Sequence, residues 1–274
     1  MRTRGRERAV PRSDSERTAA AVDADARYRG PGRAAAARRL LFIVASPRPQ
    51  VGKTFIARLL FDFLRLDGGA AVAFDLNPSG EALRDHVPAI ASDIGDTRGQ
   101  MALFDRLIAD DGAAKVVDVG YAAFDRFFAI AQEIRFFEAL GRRSIEAMIL
   151  FAADPHPASV RAYAELQQRV SGAAVVPVFN EAIVKGRALR EQFPFARAAA
   201  VPLQIPELAP LLKAQIDRSA CSFADLHDRL PKAVPYGLAF ELRAWTRRTF
   251  LEFRELELRL LLEKLRASLA GVEL

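Results

Sequence analysis

The sequence predicts an α/β protein, in which an open, mainly parallel sheet carries helices on both faces and a long C-terminal helix follows. Three observations lead to this prediction. Short apolar runs alternate with segments of helical period between residues 40 and 216, the motif Gly52-Lys53-Thr54 follows the first run, and residues 237–270 keep one uninterrupted helical pattern. Strands that alternate with helices pair in parallel through right-handed crossovers, so helices cover both faces of the sheet.

Length and composition favour one main domain with appendages. The chain has 274 residues, of which 51% are hydrophobic, enough to bury a substantial core. No apolar run approaches the roughly 18 residues that cross a bilayer, and no signal-peptide core follows Met1. We therefore expect no transmembrane segment and a cytoplasmic location. The single cysteine, Cys221, excludes an internal disulfide framework and a cysteine metal cluster.

The net charge of +6 lies in the N-terminal segment. Residues 1–39 hold eleven arginines and five acidic residues, so the rest of the chain sums to about zero. This segment is rich in Arg, Ala, Gly and Ser without an apolar period, which predicts a disordered basic tail. Such a tail could contact nucleic acid or an anionic membrane, and a solvated leader without a binding role is an equal alternative.

The first strand and helix flank a candidate phosphate-binding loop. Residues 40–45 are an apolar run too short for a helix and predict a buried strand, whereas residues 55–66 have helical spacing. Between them, Gly52-Lys53-Thr54 has the spacing of a P-loop, in which backbone N–H groups surround a phosphate, the lysine reaches the outer phosphates and the threonine holds Mg²⁺. The match is incomplete, because the full pattern has Gly where this chain has Pro47.

Three polar side chains directly follow later predicted strands. They are Asp75 after 70–74, Asp118 after 114–117, and Asn180 after 174–179. Ligands of parallel sheets bind at the carboxyl ends of strands, so we expect these residues and Lys53 to share one site. Either carboxylate could hold Mg²⁺ there. Each is a weak signal alone, since many parallel strands end in Asp and the residues after Asp75 are turn-forming by themselves.

The remaining elements follow in order. The predicted strands are 147–152 and 198–203; the predicted helices are 99–110, 124–140, 159–170, 181–193 and 208–216; residues 81–98 are predicted as a short helix with a loop. The aromatic stripe along 124–140 is typical of a core-facing helix.

The C-terminal helix has an unusually wide apolar face. One set of side chains follows helical spacing: Leu238, Leu242, Trp245, Phe253, Leu256 and Leu260. A second set broadens the face: Leu251, Leu258, Leu261, Leu262, Leu265 and Leu269. So wide a face predicts burial against the sheet domain or against a partner. Strict heptads are absent, which argues against a coiled coil.

With these motifs in order, residues 40–217 resemble the ParA/MinD class of deviant P-loop ATPases, which position plasmids, chromosomes and division machinery. The family's Lys-Gly-Gly-x-Gly-Lys-Thr aligns with Arg48-Pro49-Gln50-Val51-Gly52-Lys53-Thr54, and its Asp-x-Asp-Pro-Gln-Gly aligns with Asp75-Leu76-Asn77-Pro78-Ser79-Gly80. Asp118, Asp154-Pro155 and Asn180 also fall in sequence. The predicted organisation is then a tail, 1–39, a P-loop nucleotide-binding domain, 40–217, and a linker with the long helix, 218–274.

The resemblance implies ATP and Mg²⁺ as ligands and a homodimer as the working form. The residues implied to bind nucleotide are Gln50, Val51, Gly52, Lys53, Thr54, Phe55, Asn180, where the family's Asn reads adenine, and Pro206. The residues implied to hold the metal are Thr54, Asp75 and Asp118, and those implied to act in catalysis are Lys53, Arg48 and Asn77.

Departures from the family pattern fall on the catalytic positions. Arg48 stands where the family has the lysine that reaches across the dimer, and guanidinium differs from ammonium in geometry. Pro49 and Gln50 replace two glycines, and proline removes one N–H. Asn77 replaces the aspartate that positions the attacking water, and an amide cannot accept a proton, so we expect slow hydrolysis or none.

Three functions follow as hypotheses. The first is an ATP-binding, ParA/MinD-like dimerising switch in partition or positioning. The second is a relative that does not hydrolyse ATP and recruits a protein partner through its C-terminal helix. The third, a ligase or kinase, is disfavoured because no cluster of substrate-binding polar residues stands out. Nonspecific DNA binding is a separate hypothesis, against that of a solvated basic face; the candidate residues are Arg142, Arg143, Lys185, Arg187, Arg190 and Arg197.

Overall fold

The computed structural model describes residues 39–66, 69–77, 82–185, 202–217, 222–223 and 236–270. Within them lies one seven-stranded sheet, all of whose paired strands are parallel, in the order β3-β2-β4-β1-β5-β6-β7. The strands are β1 (Leu40–Ala45), β2 (Ala71–Asp75), β3 (Ala89–Ala91), β4 (Ala114–Asp118), β5 (Glu146–Ala152), β6 (Ala173–Asn180) and β7 (Leu203–Ile205).

Seven helices are described around the sheet. They are α1 (Lys53–Leu66), α2 (Thr97–Ile108), α3 (Phe124–Glu133), α4 (Phe136–Arg142), α5 (Pro157–Arg169), α6 (Pro210–Asp217) and α7 (Tyr236–Ala270), with short 3₁₀ turns at Leu83–Asp85 and Tyr121–Ala123. The predicted α/β class is therefore confirmed. None of the helices in the described ranges has the length and apolar character needed to cross a membrane.

Each face of the sheet carries its own hydrophobic core. Alternate residues of β1 point to opposite sides: Phe42 joins a core with α1, α6 and α7, and Ile43 joins a core with α2, α3, α4 and α5. All six residues of β1 are buried. A strand buried on both faces is apolar throughout, which is why the strand was recognisable as a continuous run.

Strand β1 lies at the point where the strand order reverses. It pairs with β4 on one side and β5 on the other, so the chain crosses over β1 between these two strands. In open parallel sheets the crevice at such a point, outside the carboxyl ends of the strands, is where ligands bind. The loop 46–52 leaves β1 at this position.

The helix predicted over 124–140 is in fact two helices. Helix α3 ends at Glu133, and α4 begins at Phe136 after Arg135 adopts a left-handed backbone with φ 51° and ψ 45°. The break turns the chain so that Phe136 and Phe137 both enter the core. No glycine or proline marks this break, so periodicity alone continued the helix.

Three other predicted elements differ from the structure. Residues 81–98 include a strand, β3, which pairs with β2 at the edge of the sheet. The last strand was predicted over 198–203 and is observed as Leu203–Ile205; residues 198–201 lie outside the described ranges. Of the helix predicted over 181–193, residues 181–185 form a turn and the remainder is likewise outside them.

Helix α7 packs one face on the sheet domain. Trp245 and Phe253 are buried, with Phe253 5.4 Å from the Phe63 ring of α1 and Trp245 5.8 Å from Phe55. Two buried hydroxyls of the helix, Thr246 and Thr249, donate to backbone carbonyls one turn earlier. The predicted single long helix is confirmed, and it lies against its own chain.

Candidate functional site

Four polar side chains converge at the carboxyl edge of the sheet. Asp75, Asp118 and Asn180 are the last residues of β2, β4 and β6, and Lys53 is the first residue of α1. All four are at most 8% exposed. Burial of three ionisable groups in one crevice is costly without a partner for their charges.

The loop 46–52 has a backbone that only glycine allows at its end. Gly52 has φ +87°, and a Cβ there would lie 2.5 Å from Nδ2 of Asn180. Gln50 also has a positive φ, 56°. At the start of the loop, the N–H of Arg48 donates to Oγ of the buried Ser46 at 3.3 Å. The loop is thus bent tightly over the end of β1, directly before the N-terminus of α1.

The first turn of α1 offers N–H groups to this crevice. The first four N–H groups of any α-helix lack an intrahelical partner, and the helix dipole makes this end attractive to anions. Lys53 stands in that turn with a side chain that is almost wholly buried, and its ammonium donates to the backbone carbonyl of Arg48. Burial lowers the pKa of Lys53 to about 8, against the opposing pull of Asp118 and Asp154.

Asp118 is the most constrained acid of the site. It is fully buried, and its Oδ2 accepts from Thr54 Oγ1 at 2.7 Å and from Asn77 Nδ2 at 3.0 Å. None of the described residues donates to its Oδ1. Burial, reinforced by the negative charge of Asp75, raises the pKa of Asp118 to about 7, although the bond from Thr54 opposes the rise.

Asp75 is engaged differently from Asp118. Its Oδ1 accepts from the N–H of Asn77 at 2.9 Å, and its Oδ2 accepts from the N–H of Arg84 at 3.2 Å. The Arg84 guanidinium lies 3.5 Å from the same Oδ2 and also donates to the Asn77 carbonyl. The carboxylate therefore fixes the backbone at Asn77 and Arg84, on either side of residues 78–81.

Arg48 is held by an acid from another strand end. Its Nε lies 3.4 Å from Oδ2 of Asp154, which follows β5. Asp154 is itself oriented, because its Oδ1 accepts from the N–H of His156 and its own N–H donates to Oγ of Ser159. The guanidinium is thus paired within its own chain.

The other predicted nucleotide-binding residues fall into two groups. Gln50, Val51 and Asn180 lie in or against the loop, and Oδ1 of Asn180 accepts from the N–H of Ala182. Phe55 and Pro206 face α7 instead: the Phe55 ring contacts Trp245, and the Pro206 carbonyl accepts from Trp245 Nε1 at 3.0 Å. The side chain of Phe55 thus points away from the loop, and the part of this residue that faces the loop is its backbone N–H in the first turn of α1.

Sequence reasoning missed two residues of this site. Arg84 supports Asp75 from a segment with no recognisable motif, and Ser46 directly follows the apolar run of β1. A buried serine at the start of a candidate P-loop is a signal that could have been used, since a buried hydroxyl needs a hydrogen-bond partner. For Arg84 no signal in the sequence connects it with Asp75.

The predicted DNA-contacting residues are partly paired with other groups. Lys185 lies 3.0 Å from Glu207, and Arg143 donates to the carbonyl of Ile108. Arg142 lies 3.9 Å from Glu138 on a solvent-exposed helix face, where such a pair contributes little. The other three, at positions 187, 190 and 197, are outside the described residues.

No family model matches the chain, and no curated protein matches it at a significant level. The chemistry of the site therefore rests on its own groups. In the described ranges no three His, Cys, Asp or Glu side chains are grouped as a metal-binding cluster. Asp118 Oδ1 and the Thr54 hydroxyl fit an ion such as Mg²⁺, which takes only one or two protein ligands and fills its shell with water and phosphate oxygens.

Proposed function

We propose that this chain binds ATP with Mg²⁺ at the loop 46–52 and acts as a ParA/MinD-like, nucleotide-dependent dimerising switch in plasmid or chromosome partition or in cellular positioning. One observation carries the proposal. Oδ1 of the buried Asp118 accepts no hydrogen bond from the described residues, and it lies in the same crevice as the buried Lys53 ammonium and the N-terminus of α1. The carboxylate of Asp118 can bind a cation, whereas the Lys53 ammonium and the N–H groups of α1 can bind an anion. A metal–phosphate ligand supplies both charges.

The phosphate side of the ligand would be held by α1 and the loop. The free N–H groups of the first turn and the glycine at position 52 allow close backbone approach, as in other phosphate-binding helix termini. Lys53 would exchange its bond to the Arg48 carbonyl for a phosphate oxygen. Since burial lowers the pKa of Lys53 to about 8, an anionic ligand would raise that pKa again and keep the ammonium protonated at mildly alkaline pH.

The metal side would be held by Thr54 and Asp118. Mg²⁺ when bound neutralises charge on the β- and γ-phosphates. Thr54 Oγ1 and Asp118 Oδ2 are already 2.7 Å apart, so a hydroxyl ligand and a carboxylate are in place together. Asp75 was predicted as a third metal residue; in that role it would have to act through water, because both of its oxygens accept backbone N–H groups.

Turnover is expected to be slow or absent. Asn77 occupies the position of the water-positioning aspartate in the resembled family, and its amide donates to Asp118. An amide in that arrangement orients a neighbour but takes no proton from an attacking water. Binding and dimerisation therefore carry the proposed switch, and hydrolysis contributes little to it.

Arg48 bears on how a dimer would form. If it serves the partner's phosphates, as the lysine of the resembled family does, it must first leave Asp154, from which it is 3.4 Å away. The Arg48 side chain is 37% exposed and its distance to Asp154 is long for a charged hydrogen bond, so the guanidinium can leave this partner when a ligand binds. The second candidate function, a relative that binds protein partners without hydrolysing ATP, is favoured by the same two departures, Arg48 and Asn77.

The first test is calorimetric titration of Mg-ATP into the purified chain and into two lysine variants. Lys53→Ala removes the buried ammonium of the site. Lys115→Ala is the matched control, because Lys115 is also buried, at the other end of β4, where it pairs with Asp111 and the Ala109 carbonyl. We expect micromolar binding that is retained in Lys115→Ala and weakened at least about 100-fold in Lys53→Ala, as for loss of a charged hydrogen bond in a buried site.

Absence of binding heat in the wild-type chain would exclude the proposal. Equal weakening in both variants would mean that a buried lysine matters only for folding, and thermal melts of both proteins would show it. Retained binding in Lys53→Ala would place the nucleotide elsewhere on the molecule.

A further inference from the structure

Helix α7 has a second apolar face, opposite to the one that packs on the sheet domain. Six leucines of this outward face, defined here as Leu251, Leu258, Leu261, Leu262, Leu265 and Leu269, are between 39% and 70% exposed. The buried face of the same helix carries Leu242, Trp245, Phe253 and Leu256 instead. The wide apolar face predicted from the sequence is therefore two faces, of which the sheet domain covers one.

The spacing of the leucines makes the outward face continuous. Leu251, Leu258 and Leu265 are seven residues apart, as are Leu262 and Leu269, so they form adjacent rows along about 27 Å of helix at 1.5 Å per residue. A helix contacts another helix along such a stripe. Leu251 and Leu258 stand beside Phe253 and Leu256, which hold this part of the helix against the sheet domain and so limit the entropy lost when the two leucines are covered. The other four lie beyond Leu256, the last buried residue in the described part of the helix.

The area of this face fits an interface between copies of the chain. From their exposed fractions, the six leucines present roughly 550 Å² of apolar surface. This is more than the few hundred Å² of most contiguous apolar patches on soluble monomers. Two such faces together would bury on the order of 1,000 Å² of leucine alone, the size at which specific protein interfaces begin. Flanking side chains would add to it.

The charges around the leucines favour a second copy over a lipid surface. Helix α7 contains five acidic and seven basic residues, a net charge of +2 with both signs interspersed. Helices that lie on anionic membranes carry a polar face dominated by Lys and Arg. The glutamates of α7 would be repelled by an anionic lipid surface, whereas they can meet arginines of a second copy.

We propose that two copies of this chain associate through the outward leucine face of α7, and that they do so without nucleotide. This contact is separate from any dimer formed around ATP, because none of its residues belongs to the site at the loop 46–52. The contact through α7 would hold two nucleotide sites in one dimer, both with and without bound ATP.

The test is sedimentation equilibrium of the full chain in nucleotide-free buffer over the micromolar range. We expect a dimer, and we expect the double substitution Leu258→Glu with Leu265→Glu to weaken it at least about 100-fold, since each removes a buried leucine and brings a charge to the interface. Leu211→Glu is the matched control: this leucine of α6 is 72% exposed, outside the proposed contact, and its variant should dimerise as the wild type does. Leu258→Ala with Leu265→Ala gives a milder version should the glutamates alter the helix.

Lys53→Ala separates this inference from the proposed function, because the variant should lose ATP and keep the dimer. A chain that stays monomeric throughout the range, a dimer that needs ATP, or a dimer that survives both double variants would overturn the proposal. So would a monomer that binds phosphatidylglycerol vesicles through the same leucines, since the face would then belong to lipid.

Discussion

At the scale of single residues, the site contains a buried acid, Asp118, and a buried base, Lys53, and each is hydrogen-bonded to other groups of the protein. Asp118 accepts from Thr54 and Asn77, while Lys53 donates to the carbonyl of Arg48. Both pKa values move toward the neutral form, to about 7 and about 8. Burying such groups lowers the free energy of unfolding, and groups of this kind cluster at functional sites. A ligand that carries both charges would raise the free energy of unfolding again.

The stability of the free protein should therefore depend on pH through Asp118. Its pKa rises from 3.8 to about 7 on folding, so between these values the folded chain holds a proton that the unfolded chain has lost. The free energy of unfolding then falls as pH rises through this window. With metal chelated, we expect wild type to lose about 2–4 kcal/mol more than Asp118→Asn between pH 4 and pH 7, in urea unfolding followed by circular dichroism.

Equal pH slopes for the two proteins would show that Asp118 is ionised in the free state. Thr54→Val is a useful companion to Asp118→Asn, because it removes the hydroxyl that favours the ionised carboxylate and should steepen the slope. The lowered pKa of Lys53 acts at higher pH, where stability should rise between about 8 and 10.5, so the two effects are separable.

At the scale of elements, the sequence predicts the strands that are buried on both faces, but it predicts neither the short edge strand β3 nor the turn at Arg135. The central strand β1 is apolar throughout because both faces are covered, and Asp118 lies at the carboxyl end of β4, as the order of strands and helices predicts. Strand β3 has three residues at the sheet edge and too little apolar surface to recognise. The turn at Arg135 depends on where Phe136 packs, which no local pattern contains.

The candidate site shows the same division. The sequence alone predicts that Lys53, Asp118 and Asn180 share one site, because the carboxyl ends of parallel strands meet at one edge of a sheet. That Asn180 lies against Gly52, and that Arg84 meets Asp75, depends on loop conformations with no sequence period. Helical spacing separates the two sets of apolar side chains on α7, but spacing alone does not show that the sheet domain leaves the second set exposed.

Two phenylalanines of α7 test how this helix is attached. Phe253 is 1% exposed and packs against Phe63, whereas Phe240, on the same helix, is 65% exposed. Phe253→Ala should lower the free energy of unfolding by about 3–5 kcal/mol through lost burial and a cavity. Phe240→Ala should change it by no more than about 0.5 kcal/mol. Urea unfolding at neutral pH measures both, and a neutral Phe253→Ala would show that α7 is not docked in solution.

At the scale of the whole molecule, one helix joins the candidate site to the terminal helix. Helix α1 begins with Lys53 and Thr54 in the crevice, and its next residue, Phe55, sends its ring to the other side, 5.6 Å from Phe223 and 5.8 Å from Trp245. Trp245 in turn donates to the Pro206 carbonyl just after β7. A shift of the first turn of α1 would thus be felt at α7, which carries the outward leucines.

This link predicts an optical signal of ligand binding. Trp245 is the only tryptophan of the chain, so its emission reports α7 without labelling. Mg-ATP should change that emission with the same midpoint as the calorimetric titration, and Lys53→Ala should abolish the change. Phe55→Leu is the informative variant: the N–H of residue 55 stays in the first turn, so heat of binding should persist, while the amplitude at Trp245 should fall to less than about half as the ring contact is lost. Binding heat with an unchanged Trp245 spectrum in wild type would mean that the candidate site and the terminal helix are independent.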